Sequence, residues 1–263
     1  MSDYQQKALK LSIVPLCLLI GLILCVKINP PWFETLDLAV YTKIDLPNFP
    51  QLTAIVRLFA KLATIGPTLC FAFLFAFYIW KKNYHLLAIW NICNIFAVSF
   101  FGYILKKLIA RIRPAVSQLE IRTSYSFPSG HSLLSFALFL TIILSLSIIW
   151  SRQDTRRVAW YLISYPLLIA ATRLYLRVHY PSDILAGFSL SAVVVLLSYV
   201  VCFSFISTDS ILKTRQLEKK KTLFSKKQKV VLGLLVLLLA VILSGVAYEL
   251  NVFYHAHGQA GKT

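Results

Sequence analysis

An all-α, polytopic membrane helix bundle is the fold this sequence predicts, and three observations carry that expectation. Of 263 residues, 58% are hydrophobic and only 14% charged, against roughly a quarter charged in an average soluble domain. The apolar residues gather into runs of about 20, which at about 1.5 Å per helical residue crosses a hydrocarbon core roughly 30 Å thick. Trp32, Phe33, Trp80, Trp150 and Trp160 fall near the ends of those runs, where interfacial aromatic belts sit.

Taken in order, the first run covers 8–28. No small-residue cleavage site follows it, so it reads as a retained helix and not as a removed signal peptide. Leu52–Lys61 reads as an interfacial segment, because Arg57 and Lys61 stand just ahead of the second run, 62–80. Further runs cover 85–105, 132–150, 158–176 and 183–206, giving a six-span core over residues 1–206. A basic loop, 207–229, then leads to a seventh C-terminal span at 230–250, where Glu249 is the one charge, and to a tail ending at 263.

Charge sets the expected orientation. Lys7, Lys10, Lys81, Lys82, Arg152, Arg156, Arg157 and the run from Lys213 to Lys229 share one face, which the positive-inside bias makes cytoplasmic. The 207–229 cluster suits a topology signal that meets anionic lipid. It lacks the interleaved aromatics and folded module of a nucleic-acid binder. The 106–131 loop then faces outward, yet it carries Lys106, Lys107, Arg111, Arg113 and Arg122, and anion binding is a reason to hold cations there. Cys17, Cys25, Cys70, Cys93 and Cys202 sit in or beside apolar runs without paired spacing, as packing residues would.

Three short stretches carry the chemistry. In Pro128-Ser129-Gly130-His131, Ser129 stands where an N-cap would open the fourth span, and Gly130 leaves room for close approach to the backbone. The free N–H groups of that first turn suit an anion. His131 at its rim has a pKa suited to proton transfer. In Arg173 to Asp183, Pro181 suits the first turn of the next span, which brings Asp183 within reach of His179. A carboxylate on one imidazole nitrogen frees the other to attack. Lys106 and Arg113-Pro114 add cations at the end of the third span, suited to phosphate oxygens. Each stretch alone is equally an ordinary helix start or a loop histidine. No carboxylate cluster accompanies them, so no metal is expected.

Together, Lys106-x6-Arg113-Pro114, Pro128-Ser129-Gly130-His131 and Arg173-x5-His179-x3-Asp183 resemble the signature of the type 2 phosphatidic acid phosphatase superfamily, which shares its site with vanadium haloperoxidases. The motifs span about 106–183, and the flanking spans resemble the family only in hydropathy. The resemblance implies a six-helix core, with His179 as nucleophile forming a phosphohistidine, Asp183 orienting it, and His131 as general acid. It further implies that Lys106, Arg113, Ser129, Gly130 and Arg173 hold phosphate without a cofactor. Thr172 stands where the family usually has serine, and the seventh span exceeds the core.

The expected activity is therefore metal-independent hydrolysis of a lipid phosphomonoester or diphosphate at the outer face of the cell membrane. Undecaprenyl diphosphate, phosphatidylglycerophosphate and phosphatidate are the candidate substrates, and the short link from Pro114 to Pro128 suits a headgroup presented from the bilayer. Two alternatives stand beside it: a non-enzymatic lipid-binding or flipping protein on the same scaffold, and a vanadium haloperoxidase. Nothing in the sequence speaks to oligomeric state.

Overall fold

The computed structural model of the chain describes residues 3–43 and 49–203, and every regular element among them is a helix. In chain order these are α1 (Asp3–Ile28), α2 (Pro31–Lys43), α3 (Pro50–Lys61), α4 (Ile65–Trp80), α5 (His85–Ile109), α6 (Gly130–Ile149), α7 (Arg152–Leu162), α8 (Ser164–Tyr175) and α9 (Pro181–Phe203). The basic loop 207–229, the expected seventh span and the tail lie outside the described residues.

Within α1, α5, α6 and α9 lie stretches long and apolar enough to cross a membrane, and α3 with α4 makes a fifth crossing if that bent pair is counted as one span. The chain is a multi-pass membrane protein. The bend of 52° between α3 and α4 has a local cause. Pro67 lacks the N–H that would continue the helix from α3, and Thr64 is extended (φ −82°, ψ 165°), its hydroxyl turned back to the Lys61 carbonyl at 2.7 Å.

The span expected at 158–176 is not one apolar helix. Pro166 leaves the Leu162 carbonyl without its donor, and the chain breaks at Ile163 into α7 and α8. Arg152, Asp154, Arg156 and Arg157 also make α7 too polar for a span. The pair still returns the chain from the far end of α6, where the Thr155 hydroxyl bonds the Leu146 carbonyl at 3.2 Å, to the end that holds Arg173. A second difference is α2, inside a stretch in which only 52–61 carried a structural expectation.

The core lies around α6 and α9, the spans with most residues enclosed beside α5, whereas α1 packs along α9 and faces outward over most of its length. Polar side chains join the spans inside the bundle: Asn91 donates to Ser145 Oγ at 2.7 Å, and Trp90 to Ser198 Oγ at 3.1 Å. Such bonds replace water where none is available. The closest approach is at Gly187, where a Cβ would sit 2.8 Å from the Ser129 carbonyl oxygen and 3.1 Å from Leu133 N. Only glycine lets the second turn of α9 lie against the start of α6, where the Ser129 N–H also meets the Asp183 carbonyl at 2.9 Å.

Candidate active site

Where α5, α6 and α8 end or begin, the chain forms a half-open cavity of about 250 Å³. Lys106, Arg113, Arg122, Arg173, His131 and His179 all line it, with Ser124 and Gly130. Ala63, Ile65 and Leu134 give it an apolar side at the α3–α4 bend.

His179, in the turn between α8 and α9, is buried. Its Nδ1 lies 3.5 Å from Asp183 Oδ2 and 3.5 Å from Ser126 Oγ, and its Nε2 lies 3.3 Å from Arg113 Nη1 on the cavity side. Burial lowers its pKa to about 4. Asp183 opposes that shift, and the cations Arg113 and Lys106 reinforce it. Near neutral pH the ring is therefore an uncharged imidazole, the form whose nitrogen lone pair can attack. Asp183, in the first turn of α9, is fully enclosed. It accepts from Arg111 at 2.9 Å, from the Tyr180 N–H at 2.9 Å and from the Ser126 hydroxyl.

Opposite stands His131, in the first turn of α6. Among the described residues its Nε2 has no hydrogen-bond partner, although the atom is buried. Arg173 is enclosed completely. Its Nε donates to Thr172 Oγ1 at 3.1 Å and its Nη1 to Glu120 at 3.3 Å, while Nη2 has no partner among the described residues. Thr172 thus keeps the hydroxyl of the usual serine and uses it to aim Arg173. Lys106 donates to the carbonyls of Tyr125 at 2.7 Å and Pro128 at 3.0 Å, and Arg113 to those of Ser124 at 2.8 Å and Val178. These bonds fold the 110–129 loop over the cavity while leaving both cations on its wall.

Ser129 is placed differently from expectation. It occupies the N-cap position of α6, but its side chain makes no cap bond and instead accepts from the Ser132 hydroxyl at 3.0 Å, off the cavity wall. Its N–H is spent on the Asp183 carbonyl at 2.9 Å. Gly130 does face the cavity, and among the described residues nothing beyond its neighbours and its own helix backbone lies within 4 Å of where its Cβ would be. Of the loop cations read as anion binders, Arg122 lines the cavity but Lys107 and Arg111 do not. Arg111 holds Asp183 and Asp37; Lys107 lies near the rings of Tyr103 and Tyr125.

Asp37, Tyr41, Glu120 and Ser126 were not singled out from the sequence. A single acid in the apolar stretch Leu36-Asp37-Leu38-Ala39-Val40 was the available signal for Asp37. Among the described residues no group of three His, Cys, Asp or Glu side chains is placed to hold a metal ion.

Residues 88–207 match the PAP2 superfamily. A stretch of 89 residues is 35% identical to phosphatidylglycerophosphatase B of Bacillus subtilis (strain 168), covering 33% of this chain and only 44% of that protein. Over 168 residues the chain is 27% identical to the undecaprenyl-diphosphatase of Sulfolobus acidocaldarius, 64% of this chain and 68% of that one. The fold is shared with the crystal structure of a transmembrane PAP2-type phosphatidylglycerolphosphate phosphatase from Bacillus subtilis, at a TM-score of 0.63 and 22% identity, covering 74% of this chain and 98% of the other. All three of these proteins carry phosphatase names, and the PAP2 match takes in the whole motif region from Lys106 to Asp183.

Proposed function

We propose that this protein is a PAP2-type integral membrane lipid phosphatase that hydrolyses a phosphomonoester or diphosphate headgroup through a phosphohistidine. The observation that carries the reading is one cavity wall bearing two histidines and four cations, two of its buried nitrogens without partners among the described residues. A phosphate seated against Arg173, Arg113 and Lys106 presents phosphorus to His179 Nε2. As the N–P bond forms, the bond from phosphorus to the lipid oxygen breaks, and His131 gives that oxygen a proton. Water then attacks the phosphohistidine with His131 accepting its proton, and orthophosphate and free His179 result. The cations offset the charge that spreads over the phosphoryl oxygens, so catalysis is largely electrostatic.

The apolar side formed by Ala63, Ile65 and Leu134 supports a substrate whose headgroup enters from the bilayer. The charge bias of the connecting loops supports an outward-facing site. Undecaprenyl diphosphate leads among the substrates because such a carrier is released on that face; phosphatidylglycerophosphate and phosphatidate follow. The test is phosphate release by the purified protein in detergent from each of the three lipids. Release from at least one, persisting in chelator and blocked by orthovanadate, is expected. No release from any would overturn the reading. Orientation is tested separately, with Ser117→Cys in a background lacking the native cysteines labelled by an impermeant thiol reagent in intact cells.

A further inference from the structure

Asp37 is buried on α2 and does not face the cavity. Its carboxylate accepts from Arg111 Nη2 at 2.7 Å, from the Ser182 backbone N–H at 3.1 Å and from the Ser182 hydroxyl. Arg111 reaches the other way as well, with Nη1 donating to Asp183 Oδ1 at 2.9 Å and to Ser182 Oγ at 2.7 Å. One guanidinium therefore lies between two carboxylates, its centre 3.8 Å from the middle of the Tyr180 ring. One turn along α2, Tyr41 donates its hydroxyl to the His179 carbonyl. A single short helix grips both ends of the segment that carries the nucleophile and its orienting acid.

The charges of this cluster matter more than its bonds. When His179 Nε2 attacks, the imidazole acquires positive charge, and Asp183 is the carboxylate that stabilises it. A lone Arg111 beside Asp183 would make the pair neutral and cancel much of that support. Arg111 stays charged: burial lowers its pKa, but Asp183 and Asp37 outweigh burial and raise it above the ordinary arginine value. With Asp37 present the three groups sum to one negative charge. In an enclosed site that difference acts at low effective dielectric.

We propose that Asp37 is a positioning residue for the His179–Asp183 pair, its carboxylate offsetting Arg111 so that Asp183 keeps the negative charge that supports the imidazolium formed during attack. The inference rests on the phosphatase reading above, and the two fail in different ways.

The experiment measures kcat and KM for phosphate release from the best lipid substrate with the wild type, Asp37→Asn, Arg111→Gln and the double variant. Asp37→Asn keeps the shape and an acceptor oxygen, and it should lower kcat about 30-fold, with KM within about threefold because Asp37 does not touch the cavity. The double variant removes both charges and returns the cluster to one negative charge. It should recover at least about tenfold over Asp37→Asn. A purely structural clamp predicts the opposite, since losing both halves should be no better than losing one. Recovery supports the proposal; no recovery, or a loss confined to KM, overturns it. If Asp37→Asn does not elute as a folded protein, the double variant decides: folded and within about tenfold of wild type supports the proposal, and aggregation like the single variant overturns it. A wild type inactive on all lipids overturns the phosphatase reading and this proposal together, which is distinct from an active wild type without rescue.

Discussion

The cavity has a front and a back, and they are built on opposite rules. On the front, Arg173 Nη2 and His131 Nε2 are buried without protein partners among the described residues, an arrangement that costs free energy unless a ligand completes it. Behind His179, each oxygen of Asp183 and Asp37 is bonded, to Arg111, Ser126, Ser182 or the Tyr180 N–H. The front is left open for an anion, and the back is saturated so that the attacking ring is held before the anion arrives. Pre-organisation of this kind lets charge develop without reorganising the surroundings.

Removing the group that joins front and back should have the largest effect. His179→Ala should lower turnover by about three orders of magnitude or more, because among the described residues no other imidazole is paired with Asp183 to form the covalent intermediate. Phosphate release by a variant that elutes like the wild type checks this, and retention of about a tenth of the activity would assign the nucleophile elsewhere.

A front-wall change should show itself through the leaving group. His131→Ala should cost about a hundredfold or more on a lipid alkoxide, which needs a proton as it departs. On a p-nitrophenyl phosphate, whose phenolate leaves unaided, the loss should shrink to below about tenfold. Equal losses on both substrates would make His131 a binding group and not a proton donor.

The back wall predicts a smaller, differently partitioned loss. Ser126→Ala deletes a hydroxyl given to a fully enclosed carboxylate, a change of about 1–3 kcal/mol in charge-assisted bonding. It should appear as about a tenfold fall in kcat with KM nearly constant. A rise in KM with kcat unchanged would move Ser126 to the front.

The same division explains what the sequence could reveal. Front-wall residues belong to short contiguous stretches at span ends, so Lys106, Arg113, His131, Arg173 and His179 were legible from spacing. The back wall joins positions far apart in the chain: Asp37 meets Ser182 across 145 residues, and no local pattern announces that. Arg111 was visible as a cation but was read as an anion binder, because its charge is legible in sequence and its buried carboxylate partners are not. The fold follows the same logic. Hydropathy located the bodies of α1, α5, α6 and α9, whereas the interruption at Ile163 turned on one residue, Pro166, inside an otherwise apolar run. Ser129 had the right type for a cap, and its N–H and hydroxyl went to tertiary partners instead.

Acid should reveal how burial, reinforced by the front cations, acts on the ring held by the back. With the His179 pKa lowered to about 4, protonation silences the nucleophile only below that value, whereas an exposed histidine would be half protonated near pH 6.5. The acid limb of kcat/KM should therefore lie well below pH 6, with activity retained at pH 5.5. Folding shifts the same way: between about pH 4 and 6.5 the unfolded chain binds a proton at this site that the folded one does not, so stability contributed here falls as pH drops through that window. An acid limb near pH 6.5 would mean that water reaches the ring freely.

Two glycines give the gentlest test, because the same methyl group is added on either side of the boundary. At Gly187 a Cβ would lie 2.8 Å from the Ser129 carbonyl oxygen, which is backbone and cannot rotate away. Gly187→Ala should push α9 from α6 and cost about 1–3 kcal/mol, seen as a lower apparent melting midpoint in detergent. At Gly130 nothing beyond its neighbours and its own helix backbone stands within 4 Å among the described residues, and none of the described glycines has positive φ, so alanine fits without strain and can stabilise the start of α6 by about 0.4–1 kcal/mol. The methyl enters the cavity where an anion would approach the backbone. Gly130→Ala should therefore melt no lower than wild type yet raise KM several-fold and weaken inhibition by orthovanadate. If Gly130→Ala left KM and vanadate inhibition unchanged, the start of α6 would not be part of the anion cradle, and the front wall would reduce to its side chains.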